Sequence, residues 1–397
     1  MPNYLAPGVY VEEVPLGAGP IERVGTSTAA FLGEAPNTKA HLNEAIEVNN
    51  WESFKTEFVG SAQKGTLLSQ SVYAFFLQGG SRCFVVNIGN SSSAPGDNRL
   101  EKGLEQLARI DEIAMVAAAG FTSASDYDAL KSHCEAPYAY RVAILDAPKD
   151  IPNMRSLTMR AVNSSPTPTS TASDKAEGVG PGESKNGNAT CYFPWIVTKD
   201  AISGEAIVTP PAGYIAGIWA STDANPGVHK APANVYIREG NVNYLVTRAE
   251  QEVLNQSGIN CIRSFDGNIK VWGARTLAPK GSEWRYLNVR RLFNMIEESI
   301  ARNTEWIVFQ PNDHTLWRKI RIQIAAFLTL LWRDGALMGK TEQEAFFVKC
   351  DEETNPPEAI DAGQVTAVIG VAPVKPAEFV IFKISQRSAG TDTEAEI

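Results

Sequence analysis

The sequence is poor in the residues that metal binding and catalysis use most often. It contains four histidines and five cysteines among 397 residues. The cysteines are scattered along the chain, at Cys83, Cys134, Cys191, Cys261 and Cys350. No two of them stand at metal-ligand spacing, and no His-x-x-x-His pair occurs. Their odd number and wide separation argue against a disulfide framework and favour small buried side chains. We therefore expect no metal site and folding in a reducing compartment.

The sequence also lacks long hydrophobic runs, an excess of positive charge and nucleotide-binding loops. The most apolar stretch, residues 322–332, is shorter than the roughly 20 residues that a membrane span needs. The N-terminus has neither the basic start nor the apolar core of a signal peptide. A net charge of −9 disfavours nucleic-acid binding as the main role. No glycine motif for a nucleotide and no Gly-x-Ser-x-Gly elbow occurs. These absences predict no cofactor, no nucleic-acid partner and no direct insertion into a membrane.

What the sequence does contain is an alternation of strand-like and helix-like segments. Apolar runs without polar interruption, such as the one starting at Cys83, predict strands that are buried on both faces of a parallel sheet. Asn50 is placed to cap a helix, and Gly79 and Gly80 are placed to end the next one. We predict an α/β fold, with a helix-covered, mostly parallel sheet in a central domain at residues 25–275.

The remaining segments differ in character from this central domain. Residues 163–188 are rich in serine, threonine, proline and glycine, which predicts a flexible surface loop. Longer amphipathic helices follow residue 275 and predict a smaller α+β domain at 276–374. Residues 1–24 and 375–397 remain as extended arms that each carry one strand.

Two features of the chain could carry function within a domain. His229, in a Gly-Val-His-Lys sequence, is the best catalytic candidate, because a Ser-His-Asp triad could be completed from elsewhere in the chain. A loop histidine that bonds to the backbone is the favoured alternative. Arg318, Arg321 and Arg333 fall on one face of the helix predicted after residue 316. The buried side of this helix is predicted to consist of Leu316, Ile320, Ile324, Phe327, Leu328 and Leu331. Such a basic stripe is usually a solvated face, but it could also dock an acidic partner.

The two ends of the chain carry the strongest signal for an interaction. The N-terminal strand consists of Val9, Tyr10, Val11, Glu12, Glu13 and Val14, and the C-terminal strand of Phe379, Val380, Ile381, Phe382, Lys383 and Ile384. Pro15 and Gly17 flank the first strand, and Pro373 and Pro376 precede the second, so all four are candidate hinges. Each strand could pair with the sheet of its own chain. Alternatively, each could add a strand to a neighbouring copy, which would make the protein a polymer.

Several blocks of the chain resemble contractile tail sheath proteins. The resemblance begins with YLAPGVYVEEVP at 4–15 and continues with YFPWI at 192–196 and GVHKAPAN at 227–234. It is most specific in NVRRLF at 288–293, FQPND at 309–313 and APVKPAEFV at 372–380. The blocks keep their order along nearly the whole chain, and they are weakest between residues 90 and 188.

This resemblance implies a structural protein and not an enzyme. Sheath subunits form hexameric rings that stack helically around an inner tube, exchange terminal strands with their neighbours, and contract to drive the tube through a target envelope. The implied partners are copies of the same chain, an inner tube protein, which Arg318, Arg321 and Arg333 would contact, and baseplate and cap proteins. Assembly is expected in the bacterial cytoplasm, with release by lysis as part of a phage tail or tail-like particle.

Two other interpretations belong to different functional classes. The central domain of the family is described as subtilisin-like, so a serine hydrolase that uses His229 is the principal alternative. The resemblance speaks against it, because the block around His229 belongs to a family without a known hydrolytic step. A monomeric adhesin or binding module is the other alternative, and it predicts that no high-order particles form.

Overall fold

The computed structural model describes residues 19–89, 99–161, 178–379 and 381. Most of the predicted arm residues lie outside these ranges: Val9, Tyr10, Val11, Glu12, Glu13, Val14, Pro15 and Gly17 at one end, and Val380, Phe382, Lys383 and Ile384 at the other. Phe379 and Ile381 are described, and both are exposed without strand pairing. The predicted strand pairing of the arms stays a prediction.

A nine-stranded sheet forms the centre of the protein. Twelve strands precede the C-terminal part of the chain, and three of them, β7, β8 and β10, form a separate antiparallel sheet in the order β10-β7-β8. In chain order the twelve are β1 Ala29–Gly33, β2 Ala45–Val48, β3 Cys83–Asn87, β4 Met115–Ala118, β5 Val142–Asp146, β6 Ala189–Phe193, β7 Ile196–Lys199, β8 Ala206–Thr209, β9 Val235–Tyr236, β10 Asn241–Val242, β11 Ile259–Phe265 and β12 Asn268–Val271. The order across the sheet is β2-β3-β1-β4-β5-β6-β11-β12-β9. Strands β3 to β11 in this order are parallel, and β2, β12 and β9 add antiparallel edges. The predicted α/β fold with a mostly parallel sheet is confirmed.

Helices cover both faces of this sheet. They are α1 Trp51–Phe54, α2 Leu67–Leu77, α3 Arg99–Leu107, α4 Ala124–Glu135, α5 Met154–Leu157, α6 Ala212–Ala224 and α7 Arg248–Gln256. Alternate residues of each strand point to opposite faces, so Phe31 packs with the core beneath α2 and α6, whereas Leu32 packs with the core beneath α3 and α4. Asn50 caps α1 as predicted, with its side-chain oxygen accepting a 2.8 Å hydrogen bond from the Ser53 amide.

A second core lies in the C-terminal part of the chain. It is built from α8 Leu287–Asn303, α9 His314–Arg333, α10 Glu342–Ala345, α11 Pro357–Asp361 and a hairpin of β13 Phe346–Lys349 with β14 Val368–Val371. The predicted apolar side of α9 is buried: Leu316, Ile320, Ile324, Phe327, Leu328 and Leu331. Ile21, from the N-terminal segment, also enters this core.

The described part of the predicted flexible surface loop, residues 178–188, contains no helix or strand, but several of its residues are buried against the central domain. Gly180 forms a β-bridge with Arg160, and a Cβ atom on Gly180 would lie 1.9 Å from the Leu157 carbonyl oxygen. The Lys131 ammonium donates a 2.6 Å hydrogen bond to the Pro181 carbonyl, and Ser184 is buried. The glycines therefore allow close backbone packing here, where their frequency alone had indicated a loop.

Candidate functional site

The N-terminal segment at residues 19–26 lies along the C-terminal core. Three hydrogen bonds join its backbone to the long helices: Gln323 Nε2 donates to the Gly19 carbonyl at 3.1 Å, Asn303 Nδ2 to the Glu22 carbonyl at 3.1 Å, and the Val24 amide to Ser299 Oγ at 3.1 Å. Arg23 also forms an exposed ion pair with Asp334. Together with burial of Ile21, these contacts fix the N-terminal arm to α8 and α9 up to the first described residue.

A buried ion pair joins the same segment to both cores. Arg291 on α8 and Asp223 near the end of α6 make a two-pronged contact, with a 2.8 Å bond from Nη1 to Oδ1, and both side chains are almost completely buried. Thr26 donates a 2.6 Å hydrogen bond to the Asp223 carboxylate, and its carbonyl accepts one from Arg291 at 3.0 Å. The Arg291 guanidinium also stacks over Trp219, 4.8 Å from the ring centre. Burial raises the pKa of Asp223, against the lowering effect of Arg291.

The C-terminal arm is fixed in a comparable way at Glu378. Its carboxylate accepts hydrogen bonds from the Arg275 guanidinium at 2.5 and 3.2 Å and from Asn255 Nδ2 at 3.0 Å. Arg275 is largely buried and also donates to the Asn255 carbonyl at 2.7 Å. The contact therefore holds the arm against the end of α7 and the strand connection after β12.

The backbone just before Glu378 is also bound to the C-terminal core. The Met338 amide donates to the Ala372 carbonyl at 2.8 Å, and Pro373 forms a β-bridge with Leu337. Asn288 Nδ2 donates to the Val374 carbonyl at 2.9 Å. Pro373, a predicted hinge, is thus held within the domain, while the hinge at Pro376 stays a prediction.

The β13–β14 hairpin is a two-stranded sheet whose outer edges have no strand partner among the described residues. A two-stranded sheet has marginal stability unless it packs on other elements, and open edges can accept further strands. Here Val348 and Ile369 pack on the C-terminal core, while Phe347 and Val368 are exposed. One face of the hairpin is therefore held against the C-terminal core, and its outer edges can accept a further strand.

The predicted basic stripe divides into two kinds of residue. Arg318 and Arg333 are exposed on α9, and neither forms an ion pair within the described part of the chain. Arg321 instead donates a hydrogen bond to the Cys350 carbonyl next to β13. Ile322 and Leu330 are exposed on the same outer side of α9, so that this face is both basic and apolar.

The surroundings of His229 do not support a catalytic role for its side chain. Burial lowers the pKa of its imidazole, and its carbonyl oxygen accepts a 2.8 Å hydrogen bond from Asn288. In the described ranges, no hydrogen bond links its ring to a serine hydroxyl or a carboxylate. The same ranges contain no cluster of three or more potential metal ligands, and no helix long and apolar enough to cross a membrane.

No sequence pattern points to the contacts at the roots of the two arms. Arg275 and Glu378 are 103 residues apart, and Asp223 and Arg291 are 68 apart. Two of these residues, Arg291 and Glu378, do fall within the blocks that carry the family resemblance. Their location in these blocks was the only feature of the sequence that pointed to these residues, and it did not indicate which residues pair.

Comparison with known proteins identifies the family. The model of the phage tail sheath protein central domain matches residues 164–277, and that of the phage tail sheath C-terminal domain matches residues 279–387, together more than half of the chain. The tail sheath protein of Vibrio phage KVP40 is 32% identical over 189 residues, which is 46% of this chain. The chain spans only 27% of the length of that relative.

Solved structures match over almost the entire chain. The contracted sheath of an extracellular contractile injection system, PVC, is 29% identical with a TM-score of 0.77, and the match covers 98% of this chain and 99% of that one. The contracted helical sheath of the anti-feeding prophage is 26% identical with a TM-score of 0.74, and the match covers 97% and 100% of the two chains. The chain therefore belongs to the contractile tail sheath protein family.

Proposed function

We propose that the protein is the structural subunit of a contractile sheath, without enzymatic activity. The observation that carries this proposal is the similarity to contracted injection-system sheaths along nearly the whole chain. The subunits would polymerise helically around an inner tube on a baseplate and contract to drive the tube through a target envelope. Assembly would take place in the bacterial cytoplasm, with release in a phage tail or tail-like particle.

Strand exchange between neighbouring subunits would hold this polymer together. The described end of the C-terminal arm carries exposed apolar side chains, Phe379 and Ile381, directly after the anchored Glu378. The open edges of the β13–β14 hairpin offer a surface for such a strand. Each ladder hydrogen bond would add a net 0.5–1.5 kcal/mol, roughly, so that several bonds per link would make a strong mesh.

Contraction would require the subunit bodies to move while these links persist. The subunit bodies could move in this way if each arm is fixed where it leaves the body and rotates about a hinge beyond that point. Pro15, Gly17 and Pro376 are the candidate hinges. The driving free energy would come from better-packed contacts between subunits in the contracted state. No nucleotide is needed for such a mechanism, in keeping with the lack of a nucleotide-binding motif in the sequence.

Negative-stain electron microscopy of the purified protein, alone and co-expressed with its tube protein, tests the proposal. We expect striated tubes of sheath dimensions. A solution of monomers in both samples would refute the sheath function and favour a binding module. Labelling by a serine-reactive probe that disappears in His229→Ala would instead support the hydrolase.

A further inference from the structure

One face of the central sheet carries positive charges among aromatic rings. The antiparallel strands β11, β12 and β9 place Arg263 directly opposite Lys270, and Lys270 opposite Tyr236. Phe265 and Trp272 extend the same face, with ring centres 4.7 Å apart. Tyr236 is 54% exposed and Trp272 is 38% exposed. We call these five residues the cationic–aromatic face.

The charges on this face have no acidic partner in the described structure. Two cations directly opposite each other on neighbouring strands repel and destabilise the sheet. Arg263 donates a 3.0 Å hydrogen bond to Gln251, and Lys270 donates one of 3.2 Å to Asn234, but both acceptors are neutral amides. Asp266, in the turn between the strands, pairs with neither cation in the ranges that the structure describes.

Aromatic rings take the place of carboxylates around these cations. The Lys270 ammonium lies 4.2 Å from the centre of the Tyr236 ring, and the Arg263 guanidinium lies 5.3 Å from that of Phe265. Such contacts stabilise a cation by about 0.5–1 kcal/mol at exposed sites, and they leave its charge uncompensated. The Nε atom of Arg263 is buried without a hydrogen-bond partner. The face therefore retains a net positive charge and exposed aromatic surface, which suits an acidic peptide segment.

We propose that the cationic–aromatic face binds an acidic segment of a second copy of this chain. The chain has a net charge of −9, so the surface of a second copy offers many carboxylates. One exposed example is the turn after β13, where Asp351, Glu352 and Glu353 follow one another and the side chains of Glu352 and Glu353 are 83% and 79% exposed. Charge complementarity between copies would set their register. The inference rests on the proposed sheath function, because it requires a polymer of identical subunits.

Carbodiimide coupling of assembled particles tests the identity of the partner. The reagent joins a lysine amine to a carboxylate in direct contact, and particles assembled from a mixture of isotope-labelled and unlabelled subunits distinguish links between copies from links within one. We expect Lys270 to be joined to an aspartate or glutamate of a second copy. Lys270→Arg keeps the positive charge but removes the reactive amine, so this variant should assemble normally and lose the link.

Reversing the charge tests whether the contact contributes to assembly. Lys270→Glu should lower the amount of pelleted polymer about tenfold, because the variant replaces an attraction between copies by a like-charge repulsion. Lys280→Glu, the same change at an exposed lysine elsewhere, should leave assembly unchanged. Unassembled Lys270→Glu subunits should unfold at no lower temperature than the unmodified protein, since the new carboxylate faces Arg263. This separates an effect on assembly from an effect on folding.

Two results would overturn the inference. One is the formation of normal particles by Lys270→Glu, and the other is a Lys270 link only to another protein or to none. If the unmodified protein forms striated tubes in either case, only this inference fails and the proposed sheath function stands. If the unmodified protein forms no tubes, the sheath function fails first.

Discussion

Asp146 shows how a single buried group can make the fold depend on pH. It ends β5 with its carboxyl group enclosed, where Oδ2 accepts a 3.1 Å hydrogen bond from the Gly120 amide and Oδ1 a 2.9 Å bond from the Ala212 amide at the start of α6. Burial raises its pKa from 3.8 to about 7, although both hydrogen bonds favour the charged form. The folded chain therefore binds this proton more tightly than the unfolded chain.

The sign of the pH dependence follows from this raised pKa. The stabilising contribution of protonated Asp146 is complete below pH 3.8 and is lost as the pH rises through about 7. Over that range the free energy of unfolding should fall by up to about 4 kcal/mol on account of this group. Asp146→Asn cannot ionise, so its free energy of unfolding should fall less between pH 4 and 7 when measured by urea denaturation. Asp266→Asn, at an exposed turn, should follow the unmodified profile, and parallel profiles for all three proteins would contradict the assignment.

At the scale of single residues, local contacts could be predicted from the sequence, but contacts between residues distant in sequence could not. The cap at Asn50 could be predicted because its contact lies three residues away. The contacts of Arg275 with Glu378 and of Arg291 with Asp223 could not, because tertiary packing alone brings these groups together. The packing of Gly180 was missed for the same reason, since it depends on Leu157 in a neighbouring segment.

At the scale of elements, α9 is the clearest case in which periodicity gave the correct answer. Its apolar residues recur at helical spacing, and the structure buries all six that were predicted. The basic residues follow the same periodicity, but periodicity cannot tell which of them has a partner within the chain. Arg321 has one at the Cys350 carbonyl, whereas Arg318 and Arg333 point away from the core.

The two exposed arginines give a test of the outer face of α9. We expect the double variant Arg318→Glu with Arg333→Glu to reduce co-assembly with the inner tube about tenfold, because charge reversal replaces attraction by repulsion at an acidic partner. Arg321 is left unchanged, since its substitution would disturb packing against β13. The measurement is the amount of tube protein that co-sediments with the sheath at two salt concentrations.

A matched pair of charge reversals controls this experiment. Lys149→Glu with Lys280→Glu changes the net charge by the same amount at exposed positions away from α9. Both double variants should retain the unfolding temperature of the unmodified subunit, because exposed substitutions change stability by about 0.5 kcal/mol or less. Equal co-sedimentation of the two would mean that the tube contacts another face.

At the scale of the whole molecule, both arms start from points that are tied to the subunit body. The N-terminal segment is bound to α8 and α9 and linked through Thr26 to the Asp223–Arg291 pair between the two cores. The C-terminal arm is bound at Glu378 to Arg275 of the central part. A force transmitted through either arm would therefore reach the packed cores directly, which is what a contracting mesh of subunits requires.

Two truncations separate this anchoring from the linking of subunits. Removing residues 379–397 deletes the predicted strand but keeps Glu378, whereas removing residues 377–397 deletes the anchor as well. Both variants should remain folded and fail to form tubes in electron micrographs, because neither can donate its C-terminal strand. Only the larger deletion leaves the largely buried Arg275 without its carboxylate, so its free energy of unfolding should be lower by about 1–3 kcal/mol. Normal tubes from the 379–397 deletion would rule out strand exchange through this arm, and equal stabilities of the two variants would show that Glu378 does not anchor it.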